Sequence, residues 1–301
     1  MYNYTDGVRA LNLITNKVCM KLGIYTNSIK DESFRHTREF LKLLKAEEIP
    51  FAVSRELSRN FPDEEIYESF EEIGMLVVFG GDGTLLRVAK QIAAYELPIL
   101  GINLGTLGFL SEVENDQYLD CIRSIKRGDY RIEYRTMLEM KLNKKVYSAL
   151  NEVTVSRENS PDSFHKVIRL EAYSNRNLID RFVADGVIIA TPTGSTAYSL
   201  SAGGPILMPS LNAKVITPIA AHSLHSRPVV LSDSEVVTIK LLETGCRVAV
   251  SVDGEVVQCV DGESSIQIVS AQHRAKFVRF PSTPNFYEKL LDKLNKWSTT
   301  L

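Results

Sequence analysis

The chain has 301 residues, 44% of them hydrophobic, with 35 Lys and Arg against 37 Asp and Glu for a formal net charge of −2. That balance gives no electrostatic reason to expect nucleic acid or an anionic membrane as the main partner. No apolar run reaches the roughly 18 residues of a spanning helix. Cys19, Cys121, Cys246 and Cys259 form no CxxC pair, so a zinc site and a disulfide framework are both disfavoured. Buried thiols in a reducing, cytoplasmic compartment are the expectation.

The length favours two domains. Residues 1–19 are read as an N-terminal extension. Its apolar stretch Val8–Ile14 is broken by Arg9 and Asn12, and it lacks the basic start and cleavage site of a signal peptide. From residue 20 to about 132, short apolar runs alternate with helical patterns. Leu22–Tyr25 reads as a strand, and Phe34–Ala46 as a helix with Phe40, Leu41, Leu43 and Leu44 facing inward. Pro50–Val53, Gly74–Phe79 and Pro98–Ile102 follow as strands, the second apolar throughout as if buried on both faces. Thr84–Tyr95 and Tyr118–Arg127 read as helices, the latter capped by Gly128. The alternation predicts an α/β domain with a parallel sheet.

From 133 to 280 the pattern becomes short and β-branched. Strands are expected at Leu138–Leu142, Lys166–Tyr173, Leu178–Val183, Val187–Thr191, Val236–Leu241, Val248–Val252 and Ile266–Val269, separated by turn signals such as Asn143, Gly245 and Asp261-Gly262. This half reads as a mainly antiparallel, sandwich-like β domain. Residues 281–301 should form a terminal helix over Asn285–Lys296. Its stripe of Phe286, Leu290, Leu291 and Leu294 is expected to pack back on the α/β domain.

Chemistry concentrates first in Phe79-Gly80-Gly81-Asp82-Gly83-Thr84, where a buried strand runs through three glycines into a helix. Glycine permits positive φ and close approach of backbone amides to phosphate, and the helix start adds partial positive charge. Gly80, Gly81, Gly83 and Thr84 are thus the candidate phosphate loop. A carboxylate beside phosphates is repulsive unless it takes a proton from a hydroxyl or engages a metal, so Asp82 is the candidate general base. The plainer reading is that Asp82 caps the helix. The loop is neither a Walker A motif, with no GK[ST] following, nor GxGxxG.

The second cluster, Asp185 to Pro205, carries an apolar strand into a turn dense in Thr, Ser and Gly, with Tyr198 as a flat surface. Its donors and acceptors suit a ribose and a purine edge; the alternative is a structural Ser/Thr loop. GGDGT resembles a signature shared by NAD kinases, diacylglycerol-type lipid kinases and phosphofructokinases. The Asp185–Pro205 stretch resembles that of NAD kinases. So do Gly101-Ile102-Asn103-Leu104-Gly105-Thr106-Leu107-Gly108-Phe109-Leu110, the pair Asn151-Glu152, and His222-Ser223-Leu224-His225-Ser226-Arg227-Pro228, in the family's order from about Lys21 to Phe280.

The resemblance implies transfer of a phosphoryl group from ATP or polyphosphate, with a divalent cation such as Mg²⁺, to the adenosine ribose 2′-hydroxyl of NAD. Carried over by position, Asp82 is the base and contacts NAD together with Gly83, Asn151, Glu152, Asp185, Thr196, Ala197, Tyr198, Ser199, Leu200 and Ser201. Arg87, Lys166, Val183 and Glu255 are secondary candidates. Arg87 and Lys166 are equally well explained as solvated cations. Val183 stands where some members have Arg, which leaves NAD against NADH open, and Glu255 stands where Gln is frequent. His222 and His225 have a metal-like spacing without an evident third ligand, so a structural role is expected for them. The resemblance also implies a homodimer or homotetramer, for which exposed strand edges would serve. A lipid kinase and a non-catalytic nucleotide sensor are the alternatives. The hydroxyl-rich turn opposes the first, and Asp82 the second.

Overall fold

The computed structural model describes residues 20–105, 108–158, 167–223, 225–242, 247–260 and 263–299. Residues 1–19, Lys166, Cys19, Cys246, Gly245 and the Asp261-Gly262 turn signal lie outside them.

The first domain opens with β1 (Leu22–Thr26), α1 (Arg35–Ala46), β2 (Phe51–Val53), β3 (Met75–Gly80), α2 (Asp82–Ile92), β4 (Pro98–Asn103), α3 (Tyr118–Arg127) and β5 (Arg131–Arg135). Its six-stranded sheet has the order β2-β1-β3-β4-β18-β5, where β18 is Ala275–Arg279. β2, β1, β3, β4 and β18 run parallel, and β5 is antiparallel to β18. All six residues of β3 are buried, as an apolar run covered on both faces requires. On one face Phe40, Leu41 and Leu44 of α1 and Tyr118 and Ile122 of α3 meet Leu22, Ile24, Val77 and Phe79. The rings of Phe40, Phe79 and Tyr118 meet edge to face, with centroids 5.3, 5.5 and 6.2 Å apart. On the other face Leu85, Val88, Ala89 and Ile92 of α2 meet Leu76, Val78, Ile99 and Phe277. Cys121 is buried in the first of these layers, and burial holds its thiol well above the usual range.

The chain then builds two antiparallel sheets. One has the order β10-β9-β14-β17-β6-β7, from β6 (Leu138–Leu142), β7 (Lys145–Ala149), β9 (Ile168–Ser174), β10 (Asn177–Ala184), β14 (Val237–Leu241) and β17 (Ser264–Ser270). The other has the order β13-β12-β11-β8-β15-β16, from β8 (Glu152–Arg157), β11 (Gly186–Ala190), β12 (Ala213–Ile219), β13 (Val229–Ser232), β15 (Val248–Val252) and β16 (Glu255–Val260). Alternating inward residues of both, among them Leu170, Ile239, Ile268, Val153, Val187 and Val250, form one core, as a sandwich demands. The outer face of the second sheet is capped by Leu207, which packs on Ile188, Ala190 and Val215.

β18 has no counterpart in the sequence reading, although it returns the chain from the sandwich to the first sheet. The terminal helix α5 (Phe286–Thr299) packs on the first domain, with the Phe286 ring 5.8 Å from that of Phe109. The expected apolar stripe needs correction. Leu291 and Leu294 are exposed, at 60% and 38%, while Lys289 is buried at 6%. The surface that α5 covers presents the Ser111 carbonyl and the Glu112 carboxylate, so it takes an ammonium where a leucine was expected. Among the described residues no helix is long and apolar enough to cross a membrane.

Candidate active site

β3 delivers the chain to Gly80; Gly81 is the N-cap of α2, and Asp82 is its first helical residue. The glycines do not work through positive φ. Among the described glycines that conformation belongs to Gly128, Gly203 and Gly254, and Gly81 has φ −107°. They work through space instead. A Cβ on Gly81 would meet Lys30 Nζ at 2.9 Å, one on Gly80 would meet Thr84 Oγ1 at 2.7 Å, and Gly83 faces open space. Thr84 Oγ1 accepts from Asn27 Nδ2 at 2.9 Å, which pins the turn after β1 against the loop.

Asp82 does not cap its own helix. Its Oδ2 accepts from the Phe109 amide at 2.8 Å, and its Oδ1 accepts longer bonds from the Leu110 and Ser111 amides at 3.3 and 3.4 Å. Gly108 packs directly on the carboxylate, since a Cβ there would lie 1.7 Å from Oδ1. Oδ2 thus makes one short bond and Oδ1 two longer ones, and the carboxylate is aimed by a cradle from the segment after β4.

The hydroxyl-rich turn between β11 and β12 is stitched to the Asn151-Glu152 pair. Thr191 donates from its amide to the Asn151 carbonyl (2.8 Å) and from Oγ1 to the Leu150 carbonyl (2.6 Å), and its Oγ1 accepts from the Gly194 amide. Ser195 Oγ donates to the Pro192 carbonyl and accepts from the Leu207 amide. Ser199 is fully buried with its hydroxyl on Thr217 Oγ1 at 2.9 Å, and Thr196 Oγ1 donates to the Thr193 carbonyl. Thr196, Ala197 and Leu200 are half-buried, while Tyr198 and Ser201 are exposed on the short helix α4 (Tyr198–Ser201).

Asp185 sits where the chain crosses from β10 to β11, hence from one sheet to the other. Arg157 Nε donates to its Oδ1 at 3.0 Å. Asp185 and Tyr198 line one cavity of about 300 Å³ together with Ser156, Arg157 and Ile219. Val183, half-exposed two residues earlier, accepts from the His222 amide through its carbonyl. Arg87 and Glu255 meet elsewhere, in a groove of about 500 Å³ between α2 and strands β7, β15 and β16, whose lining includes neither Asp82 nor the 191–201 turn. Arg87 there donates to the Tyr25 hydroxyl at 2.5 Å. His222 and His225 are exposed, and among the described residues no three His, Cys, Asp or Glu stand together as a metal site.

Two residues that the sequence reading did not single out, Asp253 and Arg135, organise the site. Asp253 accepts from the amides of Leu150, Asn151 and Glu152 at 2.8–3.1 Å and pairs with Lys90 of α2 at 3.3 Å, tying the two domains. Arg135, buried at the end of β5, donates to Thr193 Oγ1 at 3.4 Å and pairs with Glu133 at 2.9 Å. Burial and the like charge of Arg279 pull Arg135 down to about 10, opposed by Glu133 and by the Asp82 carboxylate. The carboxylate turn and the hydroxyl-rich turn are thus linked in one seam, from Thr193 through Arg135, Glu133 and Arg279 to the Phe109 and Leu110 carbonyls behind the Asp82 cradle. Only the Asp-Gly turn signal at Asp253-Gly254 was open to a sequence reading.

Glu152 is 5% exposed, with Oε2 buried and unpartnered among the described residues. Burial, and then the nearby Asp253, push its carboxyl up to about 7 from 4.5, against the pull of Lys90. Between those values the folded protein holds a proton that the unfolded chain has released, so the contribution of Glu152 to stability is greatest below pH 4.5 and is lost as pH rises through 7. Glu152→Gln removes that loss. Relative to the parent it should gain about 2 kcal/mol more at pH 8 than at pH 5. Denaturant midpoints of the ligand-free protein at the two pH values measure the difference, and a pH-independent offset would contradict the assignment.

Comparison with known proteins gives a consistent result. Residues 22–130 match the model of the ATP-NAD kinase N-terminal domain, and residues 150–280 that of the ATP-NAD kinase C-terminal domain. The NAD kinase of a Thermoanaerobacter species is 36% identical over 285 residues, covering 92% of this chain and 99% of its own. That of Fusobacterium nucleatum is 38% identical over 282 residues, covering 94% and 99%. Among solved structures, yeast NADH kinase complexed with NADH superposes with a TM-score of 0.77 at 28% identity, over 92% of this chain and 86% of the other. An Archaeoglobus fulgidus NAD kinase in complex with ATP does so at 0.70 and 25%, over 90% and 99%.

Proposed function

The chain belongs to the NAD kinase family, and on that premise we propose that it transfers the γ-phosphoryl group of ATP to the adenosine ribose 2′-hydroxyl of NAD, giving NADP, with Asp82 as general base. The observation that carries the reading is the seam itself: Arg135 touches Thr193 of the hydroxyl-rich turn and shares Glu133 with Arg279, which binds the carbonyls behind the Asp82 cradle. A ribose held by the second turn then has its hydroxyl within reach of the carboxylate aimed by the first.

In the step, the Asp82 carboxylate takes the proton as the ribose oxygen attacks the γ-phosphorus in line, and ADP leaves. The amides at Gly81 and Gly83 and the start of α2 receive the phosphates, and Lys30 adds positive charge beside Gly81. The divalent cation, Mg²⁺, is assigned to the donor, as the Mg·ATP substrate. Tyr198 and Asp185 are assigned to the adenosine side, sharing their cavity. Asn151 and Glu152 are assigned to the dinucleotide at the seam. Ser199 and Thr191 support the turn through their buried hydroxyls. Arg87 and Glu255 are left outside the dinucleotide contacts, because their groove is lined by neither turn.

The proposed setting is cytoplasmic, with association into a homodimer or homotetramer through open edges such as β10 and β16, which expose Val183 and Val256; sedimentation measures the count. Incubation with Mg·ATP and NAD should yield NADP, detected by an NADP-specific dehydrogenase. Replacing NAD by NADH or diacylglycerol, and ATP by polyphosphate, defines acceptor and donor. Phosphorylation of diacylglycerol with NAD untouched would favour a lipid kinase, and binding of NAD without turnover would favour a sensor.

A further inference from the structure

The cradle that aims Asp82 is itself held from behind. The amides of Leu110 and Ser111 donate to Asp82, and the carbonyls at the other ends of those two peptide units, on Phe109 and Leu110, accept from Arg279 at 3.3 and 2.9 Å. Arg279 closes β18 and is 5% exposed. Its remaining bonds go to Glu112 at 2.9 Å and Glu133 at 2.6 Å. The next carbonyl, on Ser111, accepts from Lys289 of α5 at 2.8 Å, and Lys289 also lies 3.3 Å from the Glu112 carboxylate shared with Arg279. Glu112, 2% exposed, further accepts from the Phe280 amide at 2.8 Å and from Thr283 Oγ1.

Two peptide dipoles therefore lie between a guanidinium and a carboxylate, each with its carbonyl on the cation and its amide on the anion. Such an arrangement strengthens both hydrogen bonds and leaves the peptide planes little freedom to turn. Burial of the cluster excludes the water that would otherwise screen it. Apolar residues of similar volume could fill a core as well, so three buried charges at this place suit a role beyond packing.

We propose that Arg279 and Lys289 are positioning residues for Asp82, which tie the returning strand and the terminal helix to the orientation of the catalytic carboxylate through the Phe109–Ser111 peptides. The inference rests on Asp82 being the base. Neither cation touches Asp82, so their effect is confined to the chemical step and passes through that residue.

The test uses the full chain with Mg·ATP and NAD, and measures kcat, KM for NAD and Tm for Arg279→Lys, Lys289→Met and Lys289→Arg, each alone and with Asp82→Asn. Arg279→Lys keeps the charge but loses the fork. It and Lys289→Met are expected to lower kcat about tenfold with KM for NAD within about threefold, and Lys289→Arg to recover most of the loss. In the Asp82→Asn background none should lower kcat further, because the group they position is already gone. Loss of Tm or rise of KM with kcat unchanged would overturn the proposal, and so would an equal kcat loss with and without Asp82. If Arg279→Lys does not fold, the Lys289 pair decides. A near-normal kcat in Asp82→Asn alone marks failure of the base reading and overturns this inference with it. A crippled Asp82→Asn beside an unaffected Lys289→Met marks failure of the inference alone.

Discussion

Asp82→Asn is expected to lower kcat by about 10²–10⁴, or about 3–5 kcal/mol of barrier, with KM for NAD changed by less than about threefold. Asparagine keeps the size of the side chain and, through its amide oxygen, can still accept from the Phe109 amide that now binds Oδ2 at 2.8 Å. The cradle and the start of α2 should therefore survive, and ground-state binding of NAD with them. Only the ability to take a proton is removed. A ribose hydroxyl is a poor nucleophile, so that ability is expected to matter in the chemical step and hardly in binding. Steady-state kinetics with NAD varied at saturating Mg·ATP measures both quantities. A kcat loss below tenfold would leave Asp82 a positioning residue, with the hydroxyl losing its proton to solvent or to the donor phosphate.

The fold was legible where one element carries its own signal. β3 is a continuous apolar run because α1 and α3 cover one face of the sheet and α2 the other. α3 shows a helical stripe ending at a glycine whose φ is indeed positive, at +73°. β18 gave no such signal: its five residues begin and end with Ala275 and Arg279 and include Lys276. It is a strand because β4 and β5 offer a slot between them, which is a tertiary fact. β12 contains Pro218, a residue that argues against an interior strand. Its register with β13 ends at Ile216, so Pro218 lies past the end of that ladder and pairs with Val187 of β11 alone among the described strands.

The site was legible as two turns but not as one assembly. The glycine turn and the Thr/Ser turn announce themselves through residues adjacent in the chain. Arg135, Asp253, Arg279 and Lys289 are single charged residues, and a lone Arg or Lys in a sequence looks like any solvated cation. Only their burial, at 3% for Arg135 and 6% for Lys289, separates them from that background. Lys289 illustrates the difficulty: it lies beside leucines that were expected to bury, and the buried partner it meets is a carboxylate 177 residues away.

Gly108→Ala and Gly194→Ala should fail in opposite ways, although both glycines are buried and both are crowded. A methyl on Gly108 would lie 1.7–2.3 Å from the carboxylate atoms of Asp82, the far end of a side chain that can rotate away. The side chain should then rotate away without moving the backbone, giving up its amide bonds and a few degrees of Tm, while the carboxylate leaves its cradle and kcat falls about 100-fold. A methyl on Gly194 would lie 2.1 Å from the Asn151 carbonyl oxygen and 2.5–2.7 Å from the carbonyl carbon and Cα of the same residue. That backbone is fixed by Thr191 on one side and Asp253 on the other. Neither can yield without breaking hydrogen bonds, so Gly194→Ala should destabilise by about 1–3 kcal/mol or more and weaken NAD binding by displacing the Asn151-Glu152 pair. Thermal unfolding together with kcat and KM for the two variants separates the outcomes. Were Gly108→Ala to keep full kcat, Asp82 would be working from a position outside the cradle, and the aiming of its carboxylate by the Phe109–Ser111 amides would have no part in the reaction.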